Sequence, residues 1–291
     1  MLSIVRVLAP NPSIHTLEGT NTWIVGRDPV IVIDPGPDDL PGHLDEVART
    51  AGRVGAVLVT HDHPDHAPGA AAFAVRVGAP LFAFRLAGAE HLRDGQIVRV
   101  GAVALTAVHT PGHTSDHLVF FEPGSGSLFS GDAVVGRGTS FIDPPDGDLV
   151  RYLRSLQRMQ ELAPRTIYPG HGPVVWDAPG KLVEYLAHRA EREEQVLAAL
   201  ADDRRTIAEL VASIYASYPP DVHPLAARSV LAHLVKLEAE GRVEHAGSGD
   251  EARYRAVTPR TCDRCGRPVK GRARLCGPCS LAVLQDTAGS A

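Results

Sequence analysis

Between Thr60 and His66 the chain places three imidazoles and two carboxylates in six residues, His61-Asp62-His63-Pro64-Asp65-His66, directly after the apolar run Val57-Leu58-Val59. His61, His63 and His66 offer neutral nitrogen ligands and Asp65 a hard oxygen, and an apolar strand ahead of them gives a rigid floor that fixes where they point. Such a cluster is suited to holding metal. Three more potential ligands stand beside glycines in turn contexts: His113 in Pro111-Gly-His113, Asp132 in Ser130-Gly-Asp132, and His171 in Pro169-Gly-His171-Gly. A glycine there lets the backbone turn sharply and present the next side chain outward. One His after a Pro-Gly turn is usually a hydrogen-bonded surface residue; the weight lies in the whole set and its order.

The elements needed to position these groups are legible around them. Residues 20–34 read as two short strands with a turn at Arg27-Asp28-Pro29, and a helix is expected near Leu40–Thr50. A strand at 56–60 leads into the His cluster, and Gly69–Val77 reads as a helix. Further strands are expected at Pro80–Phe84, Gln96–Val100, Val103–His109, His117–Glu122, Ser127–Ser130 and Thr166–Tyr168. Leu149, Tyr152, Leu153, Leu156 and Met159 recur at helical spacing over 149–162. Strands alternating with helices through residue 175 predict an α/β layered architecture.

Composition changes after Lys181–Leu200, a helix rich in Glu and Arg. Thr206, with Glu209 three residues on, has the form of a capping box, and Pro219-Pro220 stops that helix. One or two helices over 225–240 end at Gly241, and two strands flank Gly247-Ser248-Gly249. Three helices and a hairpin describe a winged helix, a fold that reads nucleic acid in some proteins and serves as a packing module in others. Arg228, His233 and Lys236 permit the first use, whereas Glu238 and Glu240 weaken it.

Net charge is −5, divided unevenly: residues 1–180 hold 13 Lys+Arg against 19 Asp+Glu, and residues 181–291 hold 16 against 15. Eight basic residues lie between Arg253 and Arg274 against the single acid Asp263, a bias that attracts phosphate backbones. All four cysteines fall in this tail, as Cys262-Asp-Arg-Cys265 and Cys276-Gly-Pro-Cys279. Two CxxC pairs point to one structural zinc site, and small basic zinc knuckles of this kind contact nucleic acid or protein. Thiol catalysis and disulfides are thereby excluded from the large domain. No window approaches the roughly 18 apolar residues of a membrane span, and the N-terminus lacks a signal peptide's apolar stretch, so we expect a soluble, cytoplasmic protein with no membrane partner.

Thr60-His-Asp-His-Pro-Asp-His66 resembles the HxHxDH motif of the metallo-β-lactamase-fold superfamily, and His113, Asp132 and His171 match its later ligand motifs over about residues 15–175. The resemblance implies an αββα sandwich over 1–180, followed here by a linker helix and winged-helix domain at 181–258 and the four-cysteine zinc-binding tail at 259–291. It also implies one metal on His61, His63 and His113, a second on Asp65, His66 and His171, and Asp132 bridging. Zn²⁺ is the first expectation for both, with Mn²⁺ or Fe allowed by the Asp ligands, and a third Zn²⁺ is expected in the tail. The chemistry implied is hydrolysis by a metal-activated hydroxide, with Asp65 also taking a proton as the intermediate collapses. Asp34 either orients a ligand imidazole or caps the turn before Pro35. Asp62, His109, Asp116 and His117 read as structural.

Asn11-Pro, Gly19-Thr-Asn-Thr-Trp23, His113-Thr-Ser-Asp-His117, Phe129-Ser-Gly-Asp-Ala-Val-Val-Gly136 and the helix segment Tyr185-Leu-Ala-His-Arg-Ala-Glu-Arg-Glu-Glu194 are further similar to the lactamase-beta-like protein 2 group, over about residues 10–258. That likeness implies an endoribonuclease acting on single-stranded RNA. The alternative is a thioesterase resembling glyoxalase II, although no Arg- and Lys-rich helical glutathione site is visible. A β-lactamase is disfavoured by the missing export signal, and a non-catalytic nucleic-acid-binding protein by the complete ligand set.

Overall fold

The computed structural model describes residues 2–257, 260–265 and 268–269. It divides into two compact units, Met1–Arg189 and Ala190–Ala291.

The first unit begins with a six-stranded sheet of β1 (Ile4–Leu8), β2 (Asn21–Gly26), β3 (Val30–Ile33), β4 (Val54–Leu58), β5 (Leu81–Ala83) and β6 (Glu90–His91), in that spatial order. Strands β1 to β3 form an antiparallel meander, and β3 to β6 run parallel. Parallel neighbours need crossovers, supplied between β3 and β4 by helix α1 (Pro41–Ala51) and between β4 and β5 by α2 (Pro68–Val77). Both faces of β2 to β4 are buried, with period-2 alternation deciding the destination. Ile24, Val30, Val32, Val57 and Val59 pack with Leu44, Val47, Ala70 and Phe73 of α1 and α2. Trp23, Val25, Ile31, Ile33, Ala56 and Leu58 point the other way.

They meet the second sheet, built from β7 (Ile97–Val100), β8 (Val103–His109), β9 (Leu118–Glu122), β10 (Ser127–Gly131) and β11 (Thr166–Pro169), in the order β11-β10-β9-β8-β7. Val98, Leu105, Ala107, Leu118, Phe120 and Phe129 supply its half of the intersheet core. Helix α3 (Leu149–Glu161) is capped by Asp148, whose side chain accepts from the Arg151 N–H, and buries Leu149, Tyr152, Leu156 and Met159. The expected two-sheet sandwich with helices is present. The two short strands β1 and β6 were not apparent in the sequence because each is an edge strand with only partial burial, and residues 90 and 91 are both exposed.

Helix α4 (Ala178–Ala199) carries the chain into the second unit, where α5 (Ile207–Ile214) and α6 (His223–Ala239) precede a hairpin of β12 (Val243–Ala246) and β13 (Arg253–Ala256). The capping box at Thr206 is complete, with the Thr206 hydroxyl on the Glu209 N–H and the Glu209 carboxylate on the Thr206 N–H. Val196, Leu210, Tyr215, Val230, Leu234, Leu237 and Tyr254 form its own core. Cys262 is buried and Cys265 exposed; Cys276 and Cys279, and with them the expected four-cysteine site, lie outside the described residues. No helix among the described residues is long and apolar enough to cross a membrane.

Candidate metal centre

Five strand ends deliver the centre. Asp34 follows β3, the His61–His66 turn follows β4, His113 follows β8, Asp132 follows β10 and His171 follows β11. The two sheets are tied at this edge by the Leu118 N–H donating to the Thr60 carbonyl at 2.7 Å.

All seven residues expected as ligands converge. His61, His63, His113 and Asp132 place one ligand atom each within 4.8 Å of one another, and Asp65, His66 and His171 do the same. Asp132 lies between the groups: Oδ2 is 3.2 Å from His171 Nε2 and 3.7 Å from His113 Nε2, while Oδ1 is 3.4 Å from His66 Nε2. Asp65 Oδ2 stands 3.2 Å from both His66 Nε2 and His171 Nε2.

Which nitrogen each ring offers follows from its other hydrogen bond. His66 Nδ1–H donates to Asp34 Oδ2 (2.9 Å), His113 Nδ1–H to the Phe141 carbonyl (2.6 Å) and His171 Nδ1–H to the Gly19 carbonyl (3.2 Å). The Thr60 hydroxyl donates to Asp34 Oδ2 at 2.8 Å, so its lone pair receives His61 Nδ1–H at 2.9 Å. Four rings therefore turn an Nε2 lone pair inward, as metal ligands require. His63 instead faces the group with Nδ1, 3.2 Å from His113 Nε2.

Asp34 does both things that its sequence position allowed. Its backbone adopts the left-handed conformation, φ 50°, at the turn, and its carboxylate accepts from the Thr60 N–H as well as from the Thr60 hydroxyl and His66. The residue is 1% exposed, so the three donors have no water to fall back on.

The donor set fits divalent cations. His61 Nε2 and Asp132 Oδ1 are buried inside the cluster without a hydrogen-bond partner. Two pairs of ring nitrogens also approach face to face, His63 with His113 and His66 with His171 at 3.3 Å, an arrangement that a cation between the lone pairs satisfies. Although burial opposes it, Asp132 and Asp65 raise His171 to about 9, and Asp65 and Asp132 lift His66 well above its ordinary value. Burial, reinforced by His66, holds His61 far down, and burial with His113 beside it lowers His63 to about 4. Burial opposes ionisation of Asp132 and Asp65, but the neighbouring His171 and His66 keep both carboxyls well below the usual range.

Residues not expected at the site complete it. Thr20 accepts Asn11 Nδ2 at 3.0 Å and so must donate its own hydroxyl to Asp65 Oδ2, at 2.7 Å. His117, expected to be merely structural, accepts the Asp132 N–H on Nε2 at 3.2 Å while Nδ1 meets the Thr110 hydroxyl at 3.0 Å. Gly170 has no side chain because a Cβ there would sit 2.4 Å from Asp132 Oδ1. On the side of His63 and His113 lie the carboxylates of Asp116, which accepts the Asp62 N–H and the Thr114 hydroxyl, and Asp146, which accepts the Ser115 N–H.

The basic residues that would serve an RNA-binding winged helix are differently disposed. His233 is 1% exposed, and Lys236 is ion-paired with Glu193 and Glu240 at 2.6 and 2.8 Å. Arg242 meets Glu193, Arg253 meets Glu209, and Arg255 and Arg204 share Glu244.

Comparison with known proteins agrees with this geometry. The metallo-beta-lactamase superfamily model matches residues 15–171, and that of the beta-lactamase associated winged helix domain matches 206–252. The Beta-lactamase-like protein 2 homolog of Drosophila melanogaster is 33% identical over 280 residues, covering 87% of this chain and 93% of that protein. The atrochrysone carboxyl ACP thioesterase of Aspergillus chevalieri is 34% identical over 269 residues, covering 86% of each. Among solved structures, a metallo-beta-lactamase family protein from Thermus thermophilus superposes with a TM-score of 0.72 at 25% identity, covering 88% of this chain and 98% of that one. Seven convergent side chains on the edge of a two-sheet sandwich, and relatives that share nearly the whole length, place this chain in the metallo-beta-lactamase superfamily of hydrolases, with the winged-helix domain associated with it.

Proposed function

We propose that the chain hydrolyses an acyl thioester at a two-cation centre, and that cleavage of single-stranded RNA is the second reading. This reverses the order of preference that the sequence alone suggests. The observation that carries the choice is electrostatic: carboxylates flank the His63 side of the centre, and the winged-helix cations named above are engaged by Glu193, Glu209, Glu240 and Glu244. A polyanion binds by neutralising phosphates with available Lys and Arg, which such pairing opposes. The thioesterase from Aspergillus chevalieri, alike over most of its length, supports the same choice. RNA retains the support of the winged helix and of the basic run from Arg253 to Arg274, four of whose eight basic residues lie outside the described residues.

Two divalent cations in the cluster would supply Lewis acidity and lower the pKa of water. Zn²⁺ suits the five imidazoles and Mn²⁺ or Fe the carboxylates. The chain's own part is orientation: Asp34, Thr60, Phe141 and Gly19 set the ring tautomers, and His117 holds the Asp132 backbone. Asp65, its side chain 23% exposed against 12% for Asp132 and one of its oxygens held by Thr20, would take a proton from the collapsing intermediate. In the tail, a structural Zn²⁺ on Cys262, Cys265, Cys276 and Cys279 remains part of the proposal.

The test is metal-loaded protein and its Asp132→Ala variant offered S-lactoylglutathione, an acyl-acyl-carrier-protein thioester and single-stranded RNA in parallel. Thioester turnover lost in the variant, with RNA left intact, is the expected result. RNA cleavage lost in the variant, with every thioester untouched, would install the second reading in its place.

A further inference from the structure

Helix α4 carries Tyr185 and Arg189 one helical turn apart, on the same face. Both are buried, at 0% and 3% exposure, and both reach the segment that joins β10 to α3 and bears Asp132. The Tyr185 hydroxyl accepts the Val135 N–H at 2.9 Å. An Arg189 Nη2–H donates to the Ser140 carbonyl, and the guanidinium lies 5.3 Å over the ring of Tyr152, whose own hydroxyl donates to the Ala133 carbonyl at 2.7 Å.

What Arg189 holds is a junction between two ligands. Ser140 Oγ donates to the Asp132 carbonyl at 2.5 Å, and the next residue, Phe141, presents the carbonyl that receives His113 Nδ1–H at 2.6 Å. Adjacent residues thus fix the two ligands: the Ser140 side chain holds the Asp132 backbone, and the Phe141 carbonyl sets the His113 tautomer. Arg189 Nε has no hydrogen-bond partner, so a buried guanidinium is maintained here with its donors only partly used. Burying a cation in that way is costly, and a neutral side chain would fill the space more cheaply. A charge directed at one carbonyl offsets this cost if that carbonyl must not move.

We propose that Arg189 is a positioning residue of the metal centre: by holding the Ser140 carbonyl it fixes the Ser140 hydroxyl against the Asp132 backbone and the Phe141 carbonyl against His113. The inference rests on the two-cation reading of the centre but not on the choice of substrate.

The test compares wild type, Arg189→Met and Arg189→Lys as full-length protein, with folding checked by circular dichroism. Affinity for Co²⁺ and Zn²⁺ is measured by competition with a chromogenic chelator, and the visible spectrum of the Co²⁺ form reports ligand geometry. Loss of a hydrogen-bonding partner of a metal ligand typically weakens metal binding about 10- to 100-fold. Arg189 reaches the ligands only through Ser140 and Phe141, so Arg189→Met is expected at the lower end of that range, about tenfold, with an altered cobalt spectrum. Arg189→Lys, which keeps the charge but not the planar fork, is expected between the two. A folded Arg189→Met protein with native affinity and spectrum would overturn the proposal. Should that variant not fold, a folded Arg189→Lys protein with native affinity and spectrum overturns it equally, and a weakened, spectrally altered one supports it. If both ions fail to bind even the wild type, the fault lies with the two-cation reading rather than with Arg189.

Discussion

Exchanging Asp34 for Asn keeps size and shape and changes one oxygen for an NH₂, yet the hydrogen-bond directions predict a large effect. Three donors converge on the carboxylate: the Thr60 N–H on Oδ1, and the Thr60 hydroxyl and His66 Nδ1–H on Oδ2. An Asn that keeps its oxygen toward the Thr60 N–H puts donors where Oδ2 stood. His66 must then accept on Nδ1, which moves its proton to Nε2, and the Thr60 hydroxyl must turn toward His61 Nδ1, with the same consequence for His61. Both inward lone pairs are lost, one from each group of ligands. Partner mutations of this kind cost about 10- to 100-fold in metal affinity, or about 1.4 to 2.8 kcal/mol per ion. Chelator competition on the folded Asp34→Asn protein measures this, and ¹⁵N-resolved spectra of the imidazoles report which nitrogen carries the proton. Native affinity with the proton still on Nδ1 of both rings would refute the tautomer argument.

Other substitutions and conditions test separate parts of the account. Thr20→Val removes the donor to Asp65 Oδ2, a hydrogen bond to a charged group worth about 1.5–3 kcal/mol, and should lower kcat at least about tenfold with both ions retained in a metal assay. Gly170→Ala drives a methyl against Asp132 Oδ1 and should abolish turnover while leaving the fold recognisable by circular dichroism. In metal-free protein His171 is raised from 6.5 to about 9, so its contribution to stability is complete below about 6.5 and lost as pH climbs through about 9. Thermal melts of the apo chain across that window should show the decline, and ion binding at pH 7 should release protons in calorimetry run in buffers of different ionisation enthalpy. Glu193→Gln removes one of the two carboxylate partners of Lys236 and of Arg242, leaving Glu240, and should strengthen RNA binding and steepen its salt dependence, measured by fluorescence anisotropy; an unchanged salt slope would remove the pairing argument.

The ligand set was legible because the fold places its ligands just after strands, where Gly and clustered His leave a local signature. Of the side chains that orient those ligands, Asp34 was legible as one of two readings, because it closes an apolar strand before Pro35; Thr20 and Arg189 leave no such mark. Thr20 and Asp65 are 45 residues apart, His66 and Asp34 are 32 apart, and Arg189 and Ser140 are 49 apart, so only folding shows that they meet. His117 lies inside a motif already singled out, and its role was hidden because its partner is a backbone N–H, which every residue but proline has. The winged helix illustrates the converse. Its helix pattern, capping box and hairpin were readable, and so was the Lys236–Glu240 pair at i,i+4 spacing. The second partner of Lys236, Glu193, comes from 43 residues upstream on another helix, and that pairing changes how the basic residues are interpreted.

Anomalous diffraction from crystals grown with Zn²⁺ or Mn²⁺ bears most directly on the central claim. Two peaks are expected: one at bonding distance from His61 Nε2, His63 Nδ1 and His113 Nε2, the other from Asp65, His66 Nε2 and His171 Nε2, with Asp132 reaching both. Well-ordered crystals with no anomalous density inside this cluster would contradict it.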